Sequence, residues 1–173
     1  MKNLPWDRDI DTQVSEATLT YMINHLNQSI FHYISPDDKV ERKYVLDVNT
    51  YATERQPGLG MNVIDARWID VQNGLYIDIT GLSELQPDSE PGVLSCKDNH
   101  RYNMTDLYPL KETEYEGVPA KVPYNYNEIL IEEYGEMALV ATQFEEWVPQ
   151  SSWPWSLYGF TDWVVLKTSK AKC

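Results

Sequence analysis

Cysteine, basic residues and long apolar runs are all scarce in this sequence, and each shortage removes a class of function. Two cysteines, Cys96 and Cys173, in 173 residues cannot build a disulfide framework or a cysteine-based zinc cluster. Lys and Arg number 14 against 27 Asp and Glu, a formal net charge of −13. Nucleic-acid affinity rests on cations that neutralise phosphates, so no dominant positive field and no nucleic-acid partner are expected. No stretch approaches the about 18 uninterrupted apolar residues of a membrane-spanning helix. The start, Met1-Lys2-Asn3-Leu4-Pro5-Trp6, lacks the apolar core of a signal peptide. As written, the chain is expected to be soluble and to carry no membrane segment. What remains is a chain with 42% apolar and 12% aromatic residues, enough to bury the core of one globular domain.

Read along its length, Trp6 to Val14 alternates polar and bulky residues and suggests a short strand, in which Asp7, Asp9 and Asp11 share one face. Ser15 is placed as an N-cap with Glu16 in the first turn, and Leu19, Met22, Ile23 and Leu26 recur at helical spacing. This predicts an amphipathic helix ending before Ser35-Pro36-Asp37-Asp38. Lys43 to Val48 is β-prone. Met61–Val71 and Leu75–Thr80 read as two strands of an antiparallel hairpin joined through Gln72-Asn73-Gly74, because Asn-Gly supplies the positive φ angles of a tight turn. Leu75, Ile77 and Ile79 then share one face, and Asp78 lies on the polar one. Gly81 to Pro123 is rich in Pro, Gly, Ser and acidic residues and reads as an irregular, ordered connection. Asn127 is a candidate cap for a short helix through Tyr134, stopped by Gly135. The end, with Trp147, Trp153, Trp155 and Trp163, is too aromatic for a solvated tail.

The acidic triplet carries the chemistry. Three carboxylates on one strand face repel one another and cost stability unless a cation neutralises them. Hard oxygen ligands at Asp-x-Asp spacing suit Mg²⁺ or Mn²⁺, which bridges carboxylates to substrate phosphates. Spacing alone leaves open the alternative of a solvated acidic strand end. Asp78, from a strand expected nearby, allows two distant segments to supply one site. Arg67 and Lys121 could contact phosphates, but the expected role of each is as an ordinary partner for one of the many carboxylates. Asp65 and Asp70 are expected in salt-bridge or turn roles. His25 and His32, expected on the helix, and His100 in a loop lack the clustering of a metal site. The sequons at Asn27 and Asn103 occur at about the frequency that chance gives, roughly a tenth per Asn.

The string Pro5-Trp6-Asp7-Arg8-Asp9-Ile10-Asp11 resembles the Pro-Trp-Asp-x-Asp-hydrophobic-Asp signature of the LicD, fukutin and fukutin-related protein family. Asn62–Asp70, Gly74–Leu82, Asp106–Leu110 and Glu116–Pro123 resemble its fungal branch, which acts in mannosylphosphate transfer to glycans. The resemblance runs from about Leu4 to Val140. It implies an α+β fold with a mixed sheet, nucleotidyltransferase-like, over residues 1–140, followed by a divergent Trp-rich segment at 141–173. It also implies metal-dependent transfer of a phosphorylated sugar or alcohol from a CDP- or GDP-linked donor to the hydroxyl of a glycan or glycoprotein. The family's acidic pair maps onto Asp9 and Asp11, its third carboxylate onto Asp78, and Asp7 is a secondary metal ligand. Asp9 and Asp11 would hold Mg²⁺ or Mn²⁺ against the donor pyrophosphate, and Asp78 would complete the site or take the acceptor's proton.

Members carry a Gly-Ser turn and helix upstream of the acidic motif, whose backbone amides hold donor phosphates. Here the motif begins within a few residues of Met1, so an N-terminally truncated domain is expected. The fungal relatives usually carry an upstream membrane anchor that places them in the Golgi lumen, so the resemblance implies Golgi localisation, with no anchor expected within these residues. The competing expectation is a catalytically inactive fragment or regulatory partner that keeps the fold. A Ca²⁺-binding module is disfavoured, since no loop shows the ligand pattern of an EF-hand.

Overall fold

The computed structural model describes residues 10–56, 63–98 and 100–140, together with the backbone of 165–167. Its centre is a six-stranded mixed sheet built from β1 (Asp11–Ser15), β2 (Ile30–Ile34), β3 (Glu41–Val48), β4 (Ala66–Asp70), β5 (Tyr76–Leu82) and β10 (Val165–Lys167). The strand order is β10-β1-β5-β4-β3-β2. β1 runs parallel to β5, and the other pairs are antiparallel. The fold is α+β, as the sequence predicts.

Helix α1 (Glu16–His25) follows β1 directly. Ser15 caps it, its Oγ accepting from the Thr18 amide at 3.2 Å, while Glu16 lies in the first turn and His25 in the last, matching the helix dipole at both ends. The face carrying Met22 packs on Leu46, Ala66 and Ile79 of the sheet, with Val14, Leu26, Phe31, Val48 and Trp68 around them. Leu46 is 1% exposed, and burying a side chain of that size contributes about 2 kcal/mol. The helix is shorter than its periodicity predicts. Gln28 takes a positive φ of 61° and its amide donates to the Leu46 carbonyl, which turns the chain into β2. Ile30-Phe31-His32-Tyr33-Ile34 is therefore a strand, and His32 belongs to it rather than to the helix.

The hairpin forms at Asn73-Gly74, with Gly74 at φ 75°. Asp70 holds the turn, accepting from the Gln72 amide at 2.8 Å and from Asn73 Nδ2 at 3.0 Å. The first strand starts at Ala66, later than its β-prone run suggests. The stretch from Gly81 to Pro123 is more regular than its composition predicts. It contains β6 (Val93–Ser95) paired with β7 (Arg101–Asn103), the short helix α2 (Met104–Leu107), and β8 (Lys111–Tyr115) paired with β9 (Val118–Val122). α3 (Tyr126–Tyr134) begins after Asn125, not at Asn127, and stops at Gly135, whose φ is 78°. A second apolar cluster joins Ile64, Leu82, Leu94, Cys96, Tyr102, Leu107 and Ile129, tying β6, β7, α2 and α3 to the end of β5. Among the described residues no helix is long and apolar enough to cross a membrane.

Candidate functional site

Register brings the candidate residues together. In the parallel β1–β5 pair, Asp11 is the Cα partner of Asp78; in β4–β5, Asp78 is the partner of Arg67; in β3–β4, Arg67 is the partner of Asp47. Side chains at directly paired positions lie on the same face of a sheet, so Asp11, Asp78, Arg67 and Asp47 form one row across four strands. Neighbouring strands are about 4.8 Å apart. Carboxylates at about that spacing repel by about 3 kcal/mol at an effective dielectric near 20, and at Asp78 a cation is at hand to offset it.

That cation is Arg67. Its Nε donates to Asp78 Oδ1 at 2.7 Å, and its guanidinium lies 4.4 Å from the centre of the Tyr76 ring. The hydrogen bond from Asp78 holds the Arg67 pKa above its ordinary value, against the opposing effect of burial. Asp78 is 13% exposed, and its backbone is pinned by the Ile10 carbonyl, which accepts from its amide, and by Thr12 Oγ1, which donates to its carbonyl at 3.2 Å. Asp47, at the other end of the row, is exposed and accepts from Gln28 Nε2. Next to it, Asp47, Val48, Asn49, Thr50, Ile64, Ala66 and Arg67 line an open cavity of about 250 Å³.

Of the four predicted site residues, the fold brings Asp11 and Asp78 side by side; Asp7 and Asp9 lie outside the described residues. Asp11 and Asp78 offer the hard oxygen donors that Mg²⁺ or Mn²⁺ prefers, but one oxygen of Asp78 is already committed to Arg67. Among the described residues no three His, Cys, Asp or Glu side chains are grouped to hold a metal ion. Lys121 pairs with Glu112 at 3.2 Å on the exposed β8–β9 hairpin and is not part of the row.

Asp65 is a structural centre. Fully buried, it accepts from Arg55 Nη1 at 2.8 Å, Lys97 Nζ at 2.9 Å and the Gly81 amide at 2.7 Å. Arg55 also donates to the Ser83 hydroxyl and to the carbonyls of Ala52 and Gly81, and Lys97 to the Tyr51 carbonyl at 2.6 Å. The ion cluster thereby staples the loop after β3 to the end of β5. Two residues beyond Asp11, Gln13 faces the second layer: its Nε2 donates to Tyr102 Oη at 3.1 Å, and Tyr102 Oη donates to Glu133 Oε1 at 2.6 Å. His100 Nδ1 stands 3.4 Å from the same Glu133 oxygen. Burial, then the Glu133 charge, push the Tyr102 pKa far up, so the phenol remains a donor at any physiological pH. Sequence reasoning left Asp47, Arg55, Lys97 and Gln13 out. Only Asp47 left a trace, in the alternation of Lys43, Val45 and Asp47 along β3; the others depend on contacts remote in sequence.

No protein-family model matches the chain. Over 85 residues, 49% of this chain and 7% of the relative, it is 42% identical to "Mannosyltransferase regulator 4" of Saccharomyces cerevisiae (strain ATCC 204508 / S288c). Over 79 residues, 46% of this chain and 8% of the relative, it is 42% identical to "Mannosyltransferase regulator 14" of the same yeast. The matches thus span less than a tenth of the length of these curated relatives.

Proposed function

We propose that this chain is a domain of glycan modification that supports mannosylphosphate transfer as a regulatory partner, on a LicD-type, nucleotidyltransferase-like fold. One observation carries the regulatory reading: Arg67, at 2.7 Å, already engages one oxygen of the Asp78 carboxylate that a metal-dependent transferase would turn to its cation. Phosphoryl transfer is achieved almost entirely by positioning and by cations that neutralise developing charge. A site whose own arginine neutralises the third carboxylate is suited to binding more than to turnover. The similarity over about half the chain to two proteins named as mannosyltransferase regulators supports the same reading. The family resemblance adds the Golgi lumen as the proposed place of action.

A second reading rests on the Asp11–Asp78 juxtaposition. In it Asp9, Asp11 and Asp78, with Asp7 as a secondary ligand, would hold Mg²⁺ or Mn²⁺, which would supply the charge that a donor pyrophosphate needs. Arg67 would then pair with a phosphate oxygen of a CDP- or GDP-linked donor, and Asp78 would either complete the metal site or take the proton of the glycan hydroxyl.

Adding the purified chain to a fungal membrane fraction that transfers mannosylphosphate to a mannan acceptor tests the regulatory reading. The incorporated mannosylphosphate is expected to change with the concentration of chain and to lose that response in Arg67→Gln. A rate indifferent to the chain would overturn it.

A further inference from the structure

One edge of the central sheet is β2, and among the described residues no strand lies beyond it. On its inner side the Ser35 amide donates to the Val40 carbonyl at 3.1 Å, and at the other end the Leu46 amide donates to the Ser29 carbonyl at 3.4 Å. Antiparallel pairing alternates, so Ser29, Phe31, Tyr33 and Ser35 turn their backbone groups to β3, while Ile30, His32 and Ile34 turn theirs to the open edge. Natural sheets blunt such an edge with a Lys, a Pro or a bulge. β2 has none of these: it pairs with β3 in continuous register, and Ile30 and Ile34 are 58% and 63% exposed.

In chemical kind, this edge reads the same from either end. Ser29-Ile30-Phe31-His32-Tyr33-Ile34-Ser35 sets Ser against Ser, Ile against Ile and Phe against Tyr about a centre at His32. The chain turns away at both limits, at Gln28 with its φ of 61° and at Pro36. A two-fold contact needs a surface complementary to itself, and an antiparallel strand pair centred on His32 is one. In it Ile30 of each copy exchanges backbone hydrogen bonds with Ile34 of the other, and His32 with its own counterpart. Phe31 then faces Tyr33 of the second copy at the positions where cross-strand side chains come closest. Phe31 is already held in place, its ring centre 4.8 Å from that of Trp68. Charge also permits the approach. From Ser29 to Lys43 the three carboxylates of Asp37, Asp38 and Glu41 are balanced by the three cations of Lys39, Arg42 and Lys43, so this edge is neutral in a chain of net charge −13. At the centre, each His32 Nδ1 lies 2.7 Å from Glu41 Oε1 of its own copy.

We propose that β2 is a self-association edge, to which a second copy of this chain adds its own β2, antiparallel about His32, so that two sheets become one. The proposal is independent of the function assigned to the carboxylate row. β2 offers five residues to the contact, against the about 20–30 a side of a stable interface. The dimer is therefore weak and forms as the concentration of the chain rises.

Sedimentation velocity over a concentration series of the full chain reads this directly. The wild-type protein is expected to pass from monomer to dimer as its concentration rises. His32→Pro removes an amide that faces the open edge and leaves the β2–β3 ladder intact, so it should raise the dissociation constant at least about tenfold. Ile30→Lys combined with Ile34→Lys sets like charges directly opposite one another and should do the same, as should the corresponding pair of Glu substitutions. Mixing the Lys variant with the Glu variant should restore the dimer, because in this register every Lys faces a Glu. Ile30 and Ile34 are exposed, and circular dichroism would verify that each variant folds. A wild-type chain that stays monomeric throughout, association undiminished in the folded variants, or a mixture of folded Lys and Glu variants that stays monomeric would overturn the proposal.

Discussion

Asp65→Ala removes one carboxylate and strands two cations. In the native protein the Asp65 and Lys97 side chains are each 1% exposed and that of Arg55 is 12% exposed, so neither cation can recover its hydration without opening the loop between β3 and β4. Three hydrogen bonds disappear together, those from Arg55 Nη1, Lys97 Nζ and the Gly81 amide. Breaking a buried ion pair by removing one partner costs about 3–5 kcal/mol, chiefly because an uncompensated charge remains. A domain of this size loses about 2–4 °C of Tm per kcal/mol, so a drop of about 6–20 °C is expected. The native state as a whole is worth only about 5–15 kcal/mol, so the variant stands near the limit of folding. Urea unfolding followed by tryptophan fluorescence and circular dichroism measures the loss. Arg55 and Lys97 should not rescue each other, and a double variant with Lys97→Met should be less destabilised than additivity predicts, since it removes a stranded cation. A loss below about 1 kcal/mol, in the range of an exposed pair, would refute the view of Asp65 as the buried centre of the cluster.

Other consequences follow from the same contacts. Arg67→Gln frees Asp78 beside Asp11; stability is expected to fall by about 1–3 kcal/mol, and Mn²⁺ should then raise the Tm of the variant more than that of wild type, whereas equal responses would contradict the clamp. Tyr102→Phe leaves Gln13 Nε2 and Glu133 Oε1 without their shared hydroxyl, a cost of about 1–3 kcal/mol readable by denaturant titration. Asp106 accepts from Asn125 Nδ2 at 2.7 Å and from Asn103 Nδ2 at 3.1 Å, which hold its pKa below the ordinary 3.8. A depressed folded pKa gives stability that is present above the unfolded value and lost as pH falls through the folded one, so the acid limb of stability below about pH 4 should flatten in Asp106→Asn.

The legible parts of the fold were those written in local signals. Asn73-Gly74 marked the hairpin, Ser15 the helix start and Gly135 a helix end, and all three act through backbone conformation within a few residues. The end of α1 was illegible because Gln28, neither Gly nor Pro, makes the break with a positive φ. The hairpins between Gly81 and Pro123 were hidden because their strands are three to five residues long, too short for alternation to show, and β9 carries Pro119 within it. The site divides the same way. Asp11 and Asp78 could be named from their strand faces, and the register then joined them. That Arg67 would hold Asp78, and that Asp65 would sink into a cluster with Lys97 from 32 positions further on, depends on long-range pairing that no spacing records.

The central claim is that the carboxylate row binds without turning over a donor, and nucleotide release is its most direct test. The folded wild-type chain, incubated with a GDP-linked or CDP-linked sugar or alcohol donor, a mannan acceptor and Mg²⁺ or Mn²⁺, is predicted to release no nucleotide above the protein-free rate. Metal-dependent release that disappears in Asp11→Asn and Asp78→Asn would contradict the account and assign the transfer chemistry to this chain.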